Sequence, residues 1–172
     1  MNVCKIDNMK NRRWVASLLI LLATIGLSYG QKENSGNLKL AQAWIKNLSV
    51  ADTVALANMY ADTARIESPN WTSSKTGGAA IREIYCRYFT TSPDLTHSVS
   101  SIFTNDNTIV IEYISSGTMV NLEKDSPEYM RGKKYTLKNC TRMNVTDGRI
   151  TGQASYFDQV AFLRQVGFFD QK

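Results

Sequence analysis

The chain has 172 residues, of which 43% are apolar, a length and composition that predict one globular domain. Its net charge of +5 comes from 20 basic and 15 acidic residues, but the basic residues form no continuous stripe outside the N-terminal segment. We therefore expect no nucleic-acid partner. No phosphate-binding or dinucleotide-binding motif occurs, and the chain has one histidine, so we expect neither a metal site nor a cofactor.

Residues 1–30 have the pattern of a secretory signal peptide. Four basic residues precede an uncharged apolar run over 14–27, and small residues at 28–30 place the expected cleavage before Gln31. The alternative is an uncleaved N-terminal anchor. After cleavage, residues 31–172 would form the domain with 16 of the 20 basic and 14 of the 15 acidic residues, a net charge of +2. The sequence thus predicts an exported protein, periplasmic or secreted, with no membrane contact after cleavage.

Two cysteines, Cys86 and Cys140, follow the signal segment. An exported protein could pair them in a disulfide. The other interpretation is two small buried side chains that remain unpaired.

Helical spacing of apolar residues predicts three helices in the first half of the chain. The first ends at about Asn47, the second starts from a capping box at Ser49–Asp52, and the third covers Ala79–Phe89. A polar loop over Asn70–Gly78 carries Trp71.

Alternating polar and apolar residues predict mainly strands in the second half of the chain. Asp147-Gly148 is typical of a tight hairpin turn, and a short helix ending at Gly167 follows the last strand. The predicted extended segments are 64–68, 97–103, 108–116, 135–138, 141–145 and 149–157.

Helices followed by antiparallel strands favour the α+β class. We expect a cone-shaped α+β barrel in which three N-terminal helices pack on a strongly curved, mostly antiparallel sheet, closed by a short C-terminal helix. The interior of such a cone would be a blind, mostly apolar pocket.

Several segments resemble the nuclear-transport-factor-2-like superfamily. Met59–Pro69 resembles its helix-to-strand signature, and Gly78–Glu83 resembles its third helix. Asp147–Ile150 and the ending Tyr156–Gly167 are similar to the SnoaL-like branch, which takes its name from a polyketide cyclase. The resemblance covers about residues 38–169 and implies a cone-shaped barrel, often a homodimer, with a small-molecule pocket.

The resemblance also assigns roles to positions. Asp158 stands where SnoaL-like cyclases have a general acid/base, and an apolar pocket would remove water from its carboxyl group. A steroid isomerase of the superfamily has catalytic groups where this chain has Ser68, Trp44 and Thr141, which disfavours that chemistry. Epoxide hydrolases of this fold have an Arg and an Asp at positions that resemble Tyr113 and Ser115, so we do not expect that activity either.

Asp158 is the candidate catalytic residue, although an Asp before a helix also fits an N-cap. Tyr156 has the same strand parity as Asp158, so both are expected to face the pocket. The other candidate ligand-binding residues are Tyr113, Trp71, Glu67 and Trp44. Tyr113 fits core packing equally well, Glu67 fits a surface ion pair with Arg65, and His97 fits an ordinary strand position.

Two functions agree with these patterns. The first is an exported protein that binds a small apolar molecule in the cone, with cyclase- or isomerase-type acid/base chemistry at Asp158. The second is a non-catalytic module that binds a ligand or dimerises through the open face of its sheet. A third interpretation is a pocket filled by Trp44, Trp71 and other aromatic side chains.

Overall fold

The computed structural model describes residues 35–124 and 126–171, so the expected signal segment and its cleavage position lie outside the described residues. Four α-helices lie within this part of the chain, and two single 3₁₀ turns occur at Glu128–Met130 and Phe168–Asp170. The helices are α1 (Ser35–Ser49), α2 (Thr53–Asn58), α3 (Gly77–Thr91) and α4 (Gln159–Gln165).

The strands form one curved, six-stranded sheet in the order β2-β1-β6-β5-β4-β3. All neighbouring strands are antiparallel except β1 and β6, which are parallel. The sheet does not close into a barrel. The strands are β1 (Tyr60–Glu67), β2 (Lys75–Thr76), β3 (Thr96–Asn105), β4 (Thr108–Thr118), β5 (Lys134–Thr146) and β6 (Arg149–Phe157).

The hydrophobic core fills the space between helices α1 to α3 and one face of the sheet. Helix α1 packs on β3 and β4, and α3 packs on β1. Core side chains come from every one of these layers, among them Trp44, Leu56, Ile81, Ile111 and Met143. The predicted α+β class, with helices on a curved and mostly antiparallel sheet, is therefore confirmed.

The start of α2 differs from the prediction, whereas the end of α4 at Gly167 agrees with it. Asp52 is the N-cap of α2 itself, since its Oδ1 accepts a hydrogen bond from the Ala55 N–H at 2.8 Å. The expected capping box starting at Ser49 is therefore wrong, and Ser49 ends α1. Gly167 has a φ of 86° just after α4, which supplies the left-handed position that ends this helix. In the described part of the chain, no helix has the length and apolarity needed to cross a membrane.

A bulge in β6 decides which side chains of that strand point inward. Val145 lies opposite Ile150, but Asn144 lies opposite Gly152, so Thr151 is an extra residue without a partner on β5. An extra residue exchanges the two faces of all that follows. Ile150 is buried, but beyond the bulge the inward positions are the odd ones, beginning with Gln153.

Candidate functional site

A cavity of about 350 Å³ lies between α3 and the inner face of the sheet. Most of its wall is apolar and comes from helix α3, strands β1 and β5, the Trp71 loop and helix α4. This volume is in the usual range for sites that hold a small molecule. Apolar wall residues include Ile66, Trp71, Ile81, Leu95, Leu137 and Phe162.

Charged side chains on the described part of the wall are limited to one pair. Arg87 Nε lies 3.1 Å from Glu123 Oε1, and both side chains are about half exposed, at 44% and 50%. The two charges offset each other and remain in contact with solvent. The inner wall is therefore polar only through uncharged groups.

One cluster of these groups is formed by strands β3, β4 and β5. His97 Nδ1 lies 3.2 Å from Ser115 Oγ, and Asn139 Nδ2 donates to the same oxygen at 2.9 Å. Burial lowers the pKa of His97 from 6.5 to about 4, so the imidazole is neutral at pH 7. His97 Nε2 is buried and has no hydrogen-bond partner among the described residues. A buried polar atom without a partner costs roughly 1–3 kcal/mol, which marks this ring as unusual for a mere packing residue.

A second set of polar groups runs from the core to the cavity. The Trp44 indole donates to Tyr60 Oη at 2.8 Å, and Tyr60 Oη donates to Gln153 Oε1. Gln153 Nε2 donates to Ser155 Oγ at 3.1 Å. The series continues through Thr141 Oγ1, which lies 3.0 Å from Ser155 Oγ and 3.3 Å from Tyr113 Oη.

The phenol at the cavity end of this series stays protonated. Burial raises the pKa of Tyr113 to about 12, and the hydrogen bond with Thr141 opposes part of that rise. Burial also raises the pKa of Tyr60. Both phenols are therefore neutral at any physiological pH and can donate a hydrogen bond.

The sequence itself shows the family to which this protein belongs. The SnoaL-like domain matches residues 41–153, which is well over half of the chain. The protein belongs to the SnoaL-like family. A comparison with curated proteins finds no match.

Solved structures share the SnoaL-like fold at low sequence identity. A candidate SnoaL-like polyketide cyclase from Jannaschia sp. CCS1 has a TM-score of 0.68 and 12% identity, with 77% of this chain and 92% of that chain covered. A candidate polyketide cyclase from Xanthomonas campestris pv. campestris has a TM-score of 0.65 and 22% identity, with 77% and 97% covered. TerC, co-crystallised with polyporic acid, has a TM-score of 0.62 and 17% identity, with 76% and 98% covered. Similarity at this level establishes the fold.

Three aromatic residues that the sequence singled out lie at or behind the cavity of this SnoaL-like protein. Tyr113 and Trp71 are part of its wall, and their contact with a ligand stays a prediction. Trp44 is fully buried behind the wall, with its ring centroid 6.1 Å from that of Tyr113. A cavity remains beside these rings, so the interpretation of a pocket filled by aromatic side chains is wrong.

Asp158 lies outside the cavity wall. It is exposed, and its Oδ1 accepts a hydrogen bond from the Ala161 N–H at 2.9 Å as the N-cap of α4. Its neighbour Tyr156 is 55% exposed. The bulge at Thr151 is the physical reason, because it turns Ser155 and Phe157 inward and the even-numbered residues outward. The prediction that Asp158 and Tyr156 face the cavity is therefore corrected.

Glu67 also points away from the main cavity. Its Oε1 lies 2.6 Å from Arg65 Nε in an exposed ion pair, as the alternative interpretation had it. Glu67, Trp71 and Tyr156 line a separate, more open groove beside the loop that follows β1. The residues proposed for one site thus divide between two surfaces that share Trp71.

The polar wall residues that escaped the sequence-based candidate list include His97, Ser115, Asn139 and Gln153. Their pairing across strands brings them together, as His97 lies opposite Ser115 and Asn139 lies opposite Tyr113. Alternation within a strand separates its two faces but does not say which face lies inward. His97 and Ser115 could therefore be assigned to the inner face only once the pairing of their strands was known. The two cysteines are unpaired; Cys86 is exposed, so the expectation of two buried cysteines is wrong for it.

Proposed function

We propose that this protein binds a small, largely apolar and uncharged molecule in the cavity between α3 and the sheet. The observation that carries the proposal is the cavity itself, about 350 Å³ with mostly apolar walls. Burial of apolar ligand surface in such a space is favourable by roughly 25 cal/mol per Å². The uncharged polar groups on the inner wall would then orient the ligand.

The composition of the wall supports an uncharged ligand. A charged group placed beside Ile81 or Leu137 would lose its water without gaining an ionic partner, which disfavours its entry. The Arg87–Glu123 pair stands at the solvent-exposed margin and is internally balanced. A neutral ring compound needs no such partner.

A fold neighbour gives independent support for small-molecule binding. TerC was co-crystallised with polyporic acid, an organic small molecule. That observation concerns TerC, and it agrees with a ligand-binding role for the same fold in this chain.

The site favours binding over acid/base catalysis at Asp158. Its carboxylate is engaged at the start of α4 and is not on the cavity wall. A carboxylate must reach the proton that it transfers, within about 3 Å or through one water molecule. The non-catalytic alternative therefore agrees better with the geometry than the cyclase- or isomerase-type reaction does.

Blocking the cavity tests the proposal. Titration calorimetry with 2-ethylnaphthalene should show binding to the wild type and its loss in Leu137→Trp, because the indole would occupy the space. Lys138→Trp is the matched control, since Lys138 is the next residue on β5 and its side chain is exposed. Equal binding by both variants and the wild type would contradict a site in this cavity.

Export belongs to the same proposal. The basic and apolar pattern of residues 1–30 supports it, and the cleavage is expected before Gln31. N-terminal sequencing of the protein from its native cells should begin at Gln31. A chain that keeps Met1 would contradict export by cleavage.

A further inference from the structure

The buried hydrogen-bond series from Trp44 to Tyr113 starts from a group whose role is fixed. Hydroxyl groups can donate in either sense, so distances alone leave the direction open. The Trp44 indole fixes the direction at its end of the series, because an indole N–H can only donate. Tyr60 Oη must therefore accept from Trp44.

The Gln153 amide can be placed in two orientations that exchange its oxygen and nitrogen. The stable orientation is the one that leaves no buried proton without an acceptor. With Oε1 facing Tyr60, the phenol proton of Tyr60 has an acceptor. With the amide reversed, Tyr60 would accept from both neighbours and its own proton would have no described acceptor. Tyr60 is 1% exposed in the core, so no water could take that proton. The first orientation is therefore the stable one.

The rest of the series ends at the cavity wall in one of two ways. Ser155 accepts from Gln153 Nε2 and can also accept from Thr141, so one arrangement leaves the Ser155 proton free at the wall and the other leaves the Tyr113 proton free there. An acceptor on the ligand favours the second arrangement, because a phenol is a stronger donor than an aliphatic hydroxyl, and Ser155 then donates to Thr141 Oγ1. Thr141 in turn donates to Tyr113 Oη. The Tyr113 proton is left without an acceptor among the described residues, and Tyr113 is on the cavity wall.

The His97 cluster ends in the same way. Asn139 Nδ2 faces both Ser115 Oγ and the Leu137 carbonyl oxygen, at 2.9 and 3.0 Å, which fixes it as the donor. If Ser115 donates to His97 Nδ1, one group remains unpaired, namely Nε2–H. The opposite arrangement leaves two groups unpaired, the Ser115 proton and Nε2. Fewer unpaired groups favour the first arrangement.

Two separate networks thus end at residues of the cavity wall, His97 and Tyr113. The rings of His97 and Tyr113 have centroids 5.8 Å apart. We infer that Tyr113 donates a hydrogen bond to an acceptor oxygen of the ligand, so that the cavity recognises a carbonyl-bearing ring compound. This inference rests on the proposed ligand-binding function and adds the polarity of the ligand to it.

A matched pair of probes tests the inference on the full chain. 2-Acetylnaphthalene carries a carbonyl group, and 2-ethylnaphthalene has the same ring and nearly the same size without an acceptor. Calorimetric titration should show that Tyr113→Phe weakens binding of the ketone by about fivefold, the usual effect of one neutral hydrogen bond. Binding of the hydrocarbon should stay unchanged, which also shows that the variant is folded with its cavity intact.

Tyr156→Phe is the control variant. Tyr156 carries the same phenol group but is 55% exposed and lies outside the cavity wall. This variant should bind both probes like the wild type. Equal loss of ketone binding in both tyrosine variants would overturn the assignment of Tyr113.

The infrared carbonyl stretch of bound 2-acetylnaphthalene gives a direct readout. In the wild type it should lie below its value in hexane, and in Tyr113→Phe it should return toward that value. A wild-type stretch equal to that in hexane would overturn the inference, even if the variant failed to fold. Binding of both probes without an effect of Tyr113 overturns this inference alone, whereas binding of neither overturns the proposed function as well.

Discussion

At the scale of single residues, Asp158 acts on the stability of α4. Its carboxylate accepts from the Ala161 N–H, and removal of such a cap typically costs about 1 kcal/mol. Asp158→Ala should therefore lower the free energy of unfolding by about 1 kcal/mol, measured by urea denaturation. Asp158→Asn should lose much less, since Asn is also a good N-cap.

Ligand affinity separates this structural role from a catalytic or binding role. Both Asp158 variants should bind 2-ethylnaphthalene like the wild type, because the side chain is not on the cavity wall. A large loss of affinity in Asp158→Asn, with unfolding unchanged, would restore this carboxylate to the site.

His97 links stability to pH. Its pKa is about 4 in the folded protein and 6.5 when solvated, so the unfolded chain binds the proton more readily. Stability from the neutral ring is full above pH 6.5 and is lost as the pH falls toward 4, by at most about 3 kcal/mol.

The comparison with His97→Gln isolates this contribution, because glutamine keeps a polar group near Ser115 and does not titrate. Urea denaturation at several pH values should show a smaller loss between pH 6.5 and 4 for the variant. The same loss in both proteins would show that His97 is already protonated or solvated in the folded state. The chain has no other histidine to confuse the result.

At the scale of elements, the close approach of α2 and α3 depends on Gly78. A Cβ at this position would lie 2.3 Å from the Ala57 carbonyl oxygen, which is part of the backbone and cannot rotate away. Gly78→Ala should therefore destabilise the protein by about 3 kcal/mol, seen as a lower denaturation midpoint.

Gly152→Ala is the matched comparison. The nearest atom to its Cβ would be Asn144 Nδ2 at 3.2 Å, at the end of an exposed side chain that can move. We expect a change of less than about 1 kcal/mol. Equal effects of the two substitutions would contradict a backbone contact between α2 and α3 as the reason.

The elements also show where prediction from the sequence ends. Apolar periodicity located α1 and α3 and most of the strands, because one buried face imposes its period on the residues. β2 has two residues and no such period, so it was not predicted. The bulge at Thr151 has no signal of its own, and it alone exchanged Ser155 and Phe157 with Tyr156 and Asp158.

The cavity residues depended on distant pairing in a similar way. His97 and Ser115 meet only because β3 and β4 pair in one register, and Gln153 reaches the same cavity wall only because of the register of β6. A period-two pattern gives the face of each strand but not its neighbours. Tyr113 was predictable because the family resemblance marked its position.

At the scale of the whole molecule, a homodimer stays a prediction. The sheet face turned away from the helices carries Tyr156 and Phe103, which are 55% and 59% exposed. Burial of such aromatic groups favours association. Sedimentation velocity should give a dimer for the wild type and a monomer for Phe103→Glu, whereas a monomeric wild type would contradict the prediction.

The central claim is that a small apolar molecule occupies the interior between α3 and the sheet. Intermolecular nuclear Overhauser effects with bound 2-ethylnaphthalene locate it most directly. The account predicts contacts from the naphthalene protons to the Leu137 methyl groups and to the rings of Trp71 and Tyr113, which all line the cavity. Contacts to Tyr156 or Phe103 without any to Leu137 would contradict it.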